Sequence, residues 1–347
     1  MGDIGNFRDA EELKQILESQ YKIQGIITPL VAYQDRNFMV TSLSGDKFIF
    51  KITTEAQDLE FIRSQNRILS SLSKRAAISL LPFPMPNIEG DLITEITFDG
   101  RVAFSRLFPY IEGKFLGELK PEIPFFYDLG KVFGQIDKEM AGMEDAVLKC
   151  RTHEWDLSGV MEAMDDIALI KEPADRRLVH YFLMKYREEV LPGYHKLPKT
   201  LIHGDGNDWN IIVGGGGKVG GIIDFGDMVW GPRVNEVAIV LAYAMMGRED
   251  FREVYQAVID GYSENIDLSE KEVFLLYYLV PARWCQTLVM AARKARANSE
   301  SEYHQVSVSG ARTMLHRWIR QNPLKKAEED KRVEEVKIGE EVNRRYG

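Results

Sequence analysis

With 347 residues, 45% of them hydrophobic and 28% charged, the chain is long enough to bury a substantial core and has the balance of a folded globular protein, which excludes a disordered or fibrous body. A net charge of −9 with no sustained basic stretch before the C-terminal tail argues against nucleic acid as a partner and suits a site that handles a cationic substrate. The two cysteines, Cys150 and Cys285, lack metal-ligand spacing and cannot form a disulfide framework, so a reducing compartment is favoured.

The chain begins with acids and no apolar signal segment, Gly2 is not followed by the Ser or Thr of a myristoylation signal, and the longest strongly apolar run, Val237 to Met246, is half the length of a membrane span. The expected location is the cytoplasm, with no membrane partner. The first hundred residues read as strands with one helix. Gly25 to Val31, Phe38 to Leu43 and Asp46 to Ile52 are short runs rich in Ile, Val, Thr and Phe, separated by polar turns including Ser44-Gly45-Asp46, and they predict an antiparallel meander. From Ala56 to Leu72 the period changes: Phe61, Ile68 and Leu72 share one helical face and Leu59, Ile62 and Leu69 an adjoining one. Asp91 to Thr97 and Arg101 to Leu107 flank Phe98-Asp99-Gly100 as a second hairpin. The pattern breaks at Phe108-Pro109-Tyr110-Ile111-Glu112-Gly113, where a lobe boundary is expected.

After Pro121 almost everything reads as helix apart from one conspicuous hairpin. Phe251, Val254, Tyr255, Val258 and Ile259 follow the spacing of a half-buried helix. Ser269 with Glu272 forms a capping box ahead of a long helix from about Val273 to Ala295, which Pro281 should kink. The predicted organisation is α+β in two lobes, residues 1–110 and 111–324, with a charged tail at 325–347 that is too polar to bury a core face.

The chemistry concentrates between Leu201 and Glu236. His203-Gly204-Asp205 is followed by Asn210, four glycines at 214–217, an apolar strand, and then Asp224-Phe225-Gly226-Asp227. Residues 210–213 and 219–223 can pair around the glycine turn, which brings Asn210 on one strand beside Asp224 at the end of the other. Two oxygen ligands then converge, the kind of partial set that Mg2+ takes from protein while phosphates and water supply the rest. Asp205 lies just ahead, placed to accept a proton from an attacking alcohol. Gly217-Lys218 is no phosphate loop, because Val219 stands where Ser or Thr is required.

These motifs resemble the kinase catalytic loop and its metal-binding motif. Without an Arg after His203 the pattern is similar to the aminoglycoside phosphotransferase family, which includes choline, homoserine and methylthioribose kinases. Residues from about Gly25 to Met246 resemble most the hydroxylysine kinase branch, through Tyr33-Gln34-Asp35-Arg36-Asn37-Phe38, Phe48-Ile49-Phe50-Lys51-Ile52, Gln65-Asn66, Arg106 to Gly113, and Asp224 to Val229. The resemblance implies a protein-kinase-like fold, with residues 1–110 as the nucleotide-binding lobe and 111–324 carrying the catalytic loop and substrate site. It implies that Lys51 neutralises nucleotide phosphates, that residues 34–38, Asn37 among them, cover those phosphates, and that Phe108 and Tyr110 lie in the segment reading the base of ATP or GTP. Gln65 stands where related enzymes carry a lysine-orienting Glu, and helical phase selects it over Glu60; it would orient Lys51 by hydrogen bond without supplying charge.

The expected reaction is in-line transfer of the terminal phosphate of ATP or GTP, with Mg2+ on Asn210 and Asp224 and with Asp205 as base, to a small hydroxylated amine, 5-hydroxylysine first. Asp227 is a candidate for a substrate amine or a second metal, Asp208 for a turn or a substrate contact, Trp230 for the cleft wall, and Arg233 for a substrate carboxylate. His203 reads as scaffold and Glu236 as a helix-start charge. The alternatives are a kinase for another small alcohol (aminoglycoside, choline or ethanolamine, homoserine) and a catalytically idle nucleotide-binding relative; loss of Asp205, Asn210, Asp224 or Lys51 would mark the second, and none is lost.

Overall fold

A computed structural model describes residues 7–30, 35–54, 58–73, 80–296 and 302–321. The charged tail at 325–347 and residues 31–34 of the first hairpin lie outside the described residues. Helix α1 (Phe7–Tyr21) precedes strands β1 (Gly25–Leu30), β2 (Arg36–Ser42) and β3 (Lys47–Thr53). Helix α2 (Leu59–Ser73) then leads to β4 (Thr94–Phe98) and β5 (Arg101–Pro109). The five strands form one antiparallel sheet in the order β1-β2-β3-β5-β4. The α+β, protein-kinase-like architecture expected from sequence is therefore present.

Strand alternation gives this sheet two unlike faces. Phe38, Val40, Phe50, Ile52, Phe98, Ala103 and Leu107 point one way, into a core closed by Leu13 and Leu17 of α1. That helix corrects the expectation of a single helix in this region. Leu13 and Leu17 are one turn apart and each is 2% exposed, but the surrounding acids conceal so short an apolar stripe. The opposite face carries residues in register. Asn37 is paired with Lys51 and Lys51 with Arg106; two residues further along, Met39 is opposite Ile49 and Ile49 opposite Phe108. Across β2, β3 and β5 a polar row thus lies beside an apolar one.

The remainder is mostly helical. After the short β6 (Lys114–Phe115) come α3 (Ile123–Met140), α4 (Ala146–Cys150), a 3-10 segment at Leu157–Leu169, α5 (Pro173–Lys185) and α6 (Leu191–Tyr194). Strands β7 (Lys199–Ile202), β8 (Ile211–Val213), β9 (Val219–Ile222) and β10 (Val229–Pro232) follow, then α7 (Arg233–Ala244), α8 (Phe251–Ser263), α9 (Glu270–Arg296) and α10 (Glu302–Trp318). The β8–β9 hairpin was expected; β6 extends it to three strands, and β7 pairs with β10. Strands of two and four residues leave too little alternation to read. Helices α3 and α8 touch through glycine: a Cβ on Gly130 would meet the Val258 carbonyl oxygen at 2.0 Å, and one on Gly261 that of Tyr127 at 1.9 Å.

Helix α9 runs through the middle of this part. The Ser269 hydroxyl and backbone amide both donate to Glu272 Oε2, at 2.8 and 2.9 Å, and the Glu272 amide donates back to Ser269 Oγ at 3.3 Å, which is the expected capping box. Pro281 lacks the N–H that would bond the Tyr277 carbonyl. That carbonyl instead accepts from Trp318 Nε1 of α10 at 2.9 Å, so the break in the helical ladder is filled from a neighbouring helix. By length and composition alone α9 could cross a bilayer, a feature missed by searching for the longest unbroken apolar run. Of its apolar window 83% is buried inside the fold, and core packing accounts for that composition.

Candidate active site

The loop from His203 to Asn210 is built by hydrogen bonds that the sequence spacing makes possible. The Asn207 side-chain oxygen accepts from the amides of Trp209 and Asn210 at 2.7 and 3.1 Å, turning the chain tightly. Gly204 sits at φ +78°, and a Cβ there would meet the Asp227 carbonyl oxygen at 2.5 Å, so only glycine lets the loop lie against the Asp-Phe-Gly segment. His203 is fully buried. Its Nδ1 accepts from the Asp205 amide at 3.2 Å, so Nε2 carries the proton and donates to the Ile223 carbonyl at 2.9 Å. Both ring nitrogens are committed, as expected of a scaffold.

This loop sets Asp205 beside Asn210. Asp205 Oδ2 accepts from Asn207 Nδ2 at 2.8 Å and from Asn210 Nδ2 at 2.9 Å; Asn210 Nδ2 also donates to the Asp205 carbonyl at 3.0 Å. The Ile223 amide donates to the Asn210 carbonyl at 2.9 Å, which fixes the start of β8 one residue from Asp224. Asp224 has a left-handed backbone (φ 60°, ψ 75°), a conformation uncommon outside glycine. Its Oδ1 accepts from the Gly226 amide at 3.2 Å and lies 3.4 Å from Lys51 Nζ. The Lys51 ammonium holds its carboxyl below the usual carboxylate range. With the Asn210 amide nitrogen spent on Asp205, its oxygen is the end left to a ligand, and Asp224 offers carboxylate oxygen. Both suit a hard cation. Among the described residues no three His, Cys, Asp or Glu side chains converge, so a cation here would have to complete its shell from another source, as phosphates and water do in nucleotide sites.

The acids around Asp205 differ in their counter-charges. Arg283 of α9 donates from Nη2 to Asp205 Oδ1 at 2.7 Å. Among the described residues Asp227 has the His153 ring at 3.7 Å as its one direct ionic neighbour, and burial, with the nearby Arg151 and Arg283 charges, pushes that imidazole down to about 3. The imidazole is neutral at physiological pH. Burial and then the Asp205 charge raise Asp227 to about 7, with Arg283 acting in the opposite sense. Arg151 donates to the carbonyls of Met228 and Gly226 at 3.0 and 2.8 Å and lies 3.9 Å over the Phe61 ring, pinning α2 to the turn after Asp224. Residues 151–156, β10, the 225–227 turn and the middle of α9 thus enclose one side of Asp205. Nothing in the linear sequence joined them: Arg151, His153 and Arg283 carry no motif, and their only signal is charge within otherwise apolar or connecting segments.

On the sheet side, Lys51 is the middle member of the row Asn37, Lys51, Arg106. Asn37 Oδ1 is buried without a hydrogen-bond partner. Gln65 does not orient Lys51. Its Oε1 accepts from Arg106 Nη1, because Arg106 emerges from the same sheet face one strand closer to α2. Arg106 is 3% exposed, with its other nitrogen 3.6 Å from Asp35; burial lowers its pKa, while Asp35 and Asp224 act to raise it. Phe108 is buried beside Ile49, and Tyr110 donates its amide to the Lys47 carbonyl at 3.1 Å, with Lys47 Nζ 5.2 Å over its ring.

The other candidates separate. Arg233 is no open carboxylate reader: Nε and Nη2 donate to the two oxygens of the fully buried Glu272 carboxylate at 2.8 and 3.0 Å, and Nη2 also donates to the Asp267 carbonyl. The guanidinium is consumed in fastening α7 to the start of α9. Trp230 lies on β10 under the Lys149 ammonium at 4.8 Å. Asp208 packs beneath the 3-10 turn at 116–118, where its carbonyl accepts from the Gly117 amide at 2.9 Å and burial raises its carboxyl to about 6. Glu236 does more than start a helix. From the first turn of α7 its Oε2 accepts from the Gly204 amide at 3.1 Å, bracing the catalytic loop from below, and burial raises its pKa.

Residues 27–271 match the Phosphotransferase enzyme family, APH. The chain is similar to hydroxylysine kinase of Danio rerio, 27% identical over 308 residues that cover 84% of this chain and 86% of the relative. It is 29% identical to hydroxylysine kinase of Mus musculus over 304 residues, 80% of this chain and 79% of the relative. Among solved structures it resembles amicoumacin kinase in complex with AMP-PNP, Ca2+ and Ami, with a TM-score of 0.66 and 17% identity over 88% of this chain and 93% of that one. It also resembles a microcompartment-associated aminopropanol kinase, with a TM-score of 0.63 and 16% identity over 90% and 98%. The match spans most of the chain and falls on the loop, hairpin and sheet that assemble the site, and on that ground the chain belongs to the phosphotransferase enzyme family and is a small-molecule kinase.

Proposed function

We propose that this kinase moves the terminal phosphate of ATP or GTP to the hydroxyl of a small ammonium-bearing alcohol, with 5-hydroxylysine as the leading acceptor and Mg2+ as the cation. The observation that carries the reading is the Asp205 cluster: a carboxylate fixed beside Asn210, with a second carboxylate, Asp227, whose direct ionic contact among the described residues is a neutral imidazole. An acceptor ammonium supplies the missing counter-charge. In 5-hydroxylysine that ammonium stands on the carbon next to the hydroxyl-bearing one, so the two acids can read the two groups together. The relatives named hydroxylysine kinase and the neighbour named aminopropanol kinase are kinases of amino alcohols by name, which supports the same class.

In this reading Lys51 and Asn37 face the phosphates, Phe108 and Tyr110 flank the base, and the nucleotide lies between a lobe of residues 1–110 and one of 111–324. Asn210 and Asp224 hold the Mg2+, which would draw off negative charge from the phosphate oxygens. Asp205 takes the proton of the acceptor hydroxyl as its oxygen forms the new bond to phosphorus and the bond to the departing nucleoside diphosphate breaks. Holding the hydroxyl in line removes most of the entropic barrier to the encounter. Neighbours of this fold were solved with AMP-PNP and with GDP, and the donor is part of the test. A cytoplasmic setting belongs to the same proposal.

The test is nucleotide consumption by the purified protein with Mg2+, using ATP and GTP in parallel against 5-hydroxylysine, aminopropanol, ethanolamine, choline, homoserine and an aminoglycoside, with Asp205→Asn as control. Turnover stimulated by 5-hydroxylysine and lost in the variant is expected. Turnover only with glycerol, run beside them as an alcohol lacking an ammonium, would overturn the acceptor class.

A further inference from the structure

Arg283 is a buried cation that the kinase reaction, as described so far, does not use. It lies in α9, 78 residues from Asp205 in sequence, with a side chain 1% exposed. Its two terminal nitrogens are both bonded, and Nε is buried without a hydrogen-bond partner among the described residues. Nη1 donates to the Trp155 carbonyl at 2.7 Å and to Gln286 Oε1 at 3.2 Å; the guanidinium lies 4.8 Å over the Trp155 ring and 5.5 Å from that of Tyr243. Gln286 is itself fixed, donating to the Glu154 carbonyl at 2.9 Å. From that cage one nitrogen emerges toward the catalytic loop, 2.7 Å from Asp205 Oδ1.

The consequence for Asp205 is geometric. Oδ2 is taken by two amide donors from its own loop, Asn207 and Asn210. Were these its only partners, the carboxylate could still swing about its side-chain torsions, because both donors ride on the same short loop. Arg283 anchors the opposite oxygen to the helical core. The carboxylate plane is then fixed by two unconnected parts of the chain, and Oδ1 keeps a lone pair for a hydroxyl. A buried guanidinium is costly to desolvate, and an apolar side chain of similar volume often serves stability as well or better. Its charge reaches both acids, but its hydrogen bond goes to Asp205 and none is made to Asp227, which calls for a role in the site.

We propose that Arg283 is a positioning residue for phosphoryl transfer: it holds Asp205 Oδ1 in the orientation that meets the acceptor hydroxyl and leaves Asp227 as the acid open to the acceptor's ammonium. The inference rests on the role assigned to Asp205 and not on which amino alcohol is phosphorylated.

The test compares Arg283→Gln and Arg283→Lys, alone and combined with Asp205→Asn, in the full-length chain with saturating acceptor. Arg283→Gln should lower kcat about 100-fold, in the range that misplacing a catalytic group costs, while KM for the nucleotide stays within about threefold. Arg283→Lys keeps the charge and one donor and should recover about tenfold of that loss. On the Asp205→Asn background, Arg283→Gln should cost nothing further, because residues acting as a unit are not additive. Unchanged kcat in Arg283→Gln, a parallel loss of nucleotide affinity with no recovery by Lys, or a full additional loss on Asp205→Asn would each overturn the proposal. If Arg283→Gln does not fold, Arg283→Lys decides alone: a lowered kcat at unchanged nucleotide KM supports it, and wild-type kcat overturns it. A crystal structure of either variant supplies a readout that needs no turnover. Asp205 rotated away from Asn207 and Asn210 supports the proposal, and an unmoved carboxylate overturns it even if the wild-type chain phosphorylates none of the acceptors tried.

Discussion

The two walls around Asp205 are made in different ways. The sheet wall is one surface of regular structure, in which Asn37, Lys51 and Arg106 fall into a row because β2, β3 and β5 are antiparallel neighbours in register. The helical wall is gathered from distant places: His153 from a connecting segment, Asp227 from a turn, Arg283 from the middle of α9. A register row is sensitive to insertion or deletion in its strands, since a one-residue slip moves every side chain to the other face. The gathered wall can change one member without disturbing the rest. On the proposed function this is a physical reason for one fold to keep its phosphate donor and vary its acceptor.

Predictions that test this contrast run from the catalytic loop outward. Asp205→Asn should reduce kcat by roughly a thousandfold, the scale of a lost general base, with nucleotide binding by fluorescence titration unchanged. A parallel loss of nucleotide affinity would mean that the two walls are not separable. Asp227→Asn should raise the acceptor KM about 30-fold, equivalent to about 2 kcal/mol for a half-buried charge pair, and leave the nucleotide KM alone. Because Asp227 is raised to about 7, it becomes the ionised partner of an ammonium only as pH rises through that value. Acceptor KM should therefore fall between pH 6 and 8 in the wild type and be flat in Asp227→Asn, as measured by initial rates with nucleotide saturating.

Smaller effects are expected away from the reacting groups. Arg233→Met leaves the buried Glu272 carboxylate without its charge partner, though still bonded by Ser269, and should cost about 3 kcal/mol of stability in urea titration, with kcat of the folded enzyme intact. A large rise in acceptor KM without loss of stability would return Arg233 to the substrate site. Gln65→Glu places a carboxylate against the under-neutralised Arg106 and should stabilise the fold by about 1 kcal/mol, changing nucleotide affinity by less than about threefold. Tenfold tighter or weaker nucleotide binding would show that residue 65 acts on Lys51 after all.

The same contrast explains what could be read in the chain beforehand. The meander, the amphipathic α2, the glycine-turn hairpin and the capping box at Ser269 were legible because each is a local pattern of a few residues. The convergence of Asn210 and Asp224 was legible for the same reason, since a hairpin of that length leaves its ends together. Helix α1 escaped notice because Leu13 and Leu17 are a thin stripe among charges. Gln65 was placed on the correct helical face, but its partner was missed because the neighbour of Lys51 on β5 depends on strand order, which α2 interrupts. Arg233 and Arg283 show the limit most clearly. Arg233 opens one apolar helix and Arg283 lies inside another, and only the packing of α9 decides that one braces the scaffold while the other meets Asp205.

Pro281 gives α9 a further property. By giving up one backbone donor it leaves the Tyr277 carbonyl to Trp318, while Trp284, three residues further on, ties the same helix to the Ala242 carbonyl of α7 at 2.8 Å. Arg283 sits between these two indole anchors. Helix α10 is thus a clamp on the segment that reaches the 203–210 loop, and on the role proposed for Arg283 the alignment of Asp205 would depend on a tryptophan 113 residues downstream. Helix α10 belongs to the frame around Asp205, although none of its residues has been assigned a chemical part in the reaction.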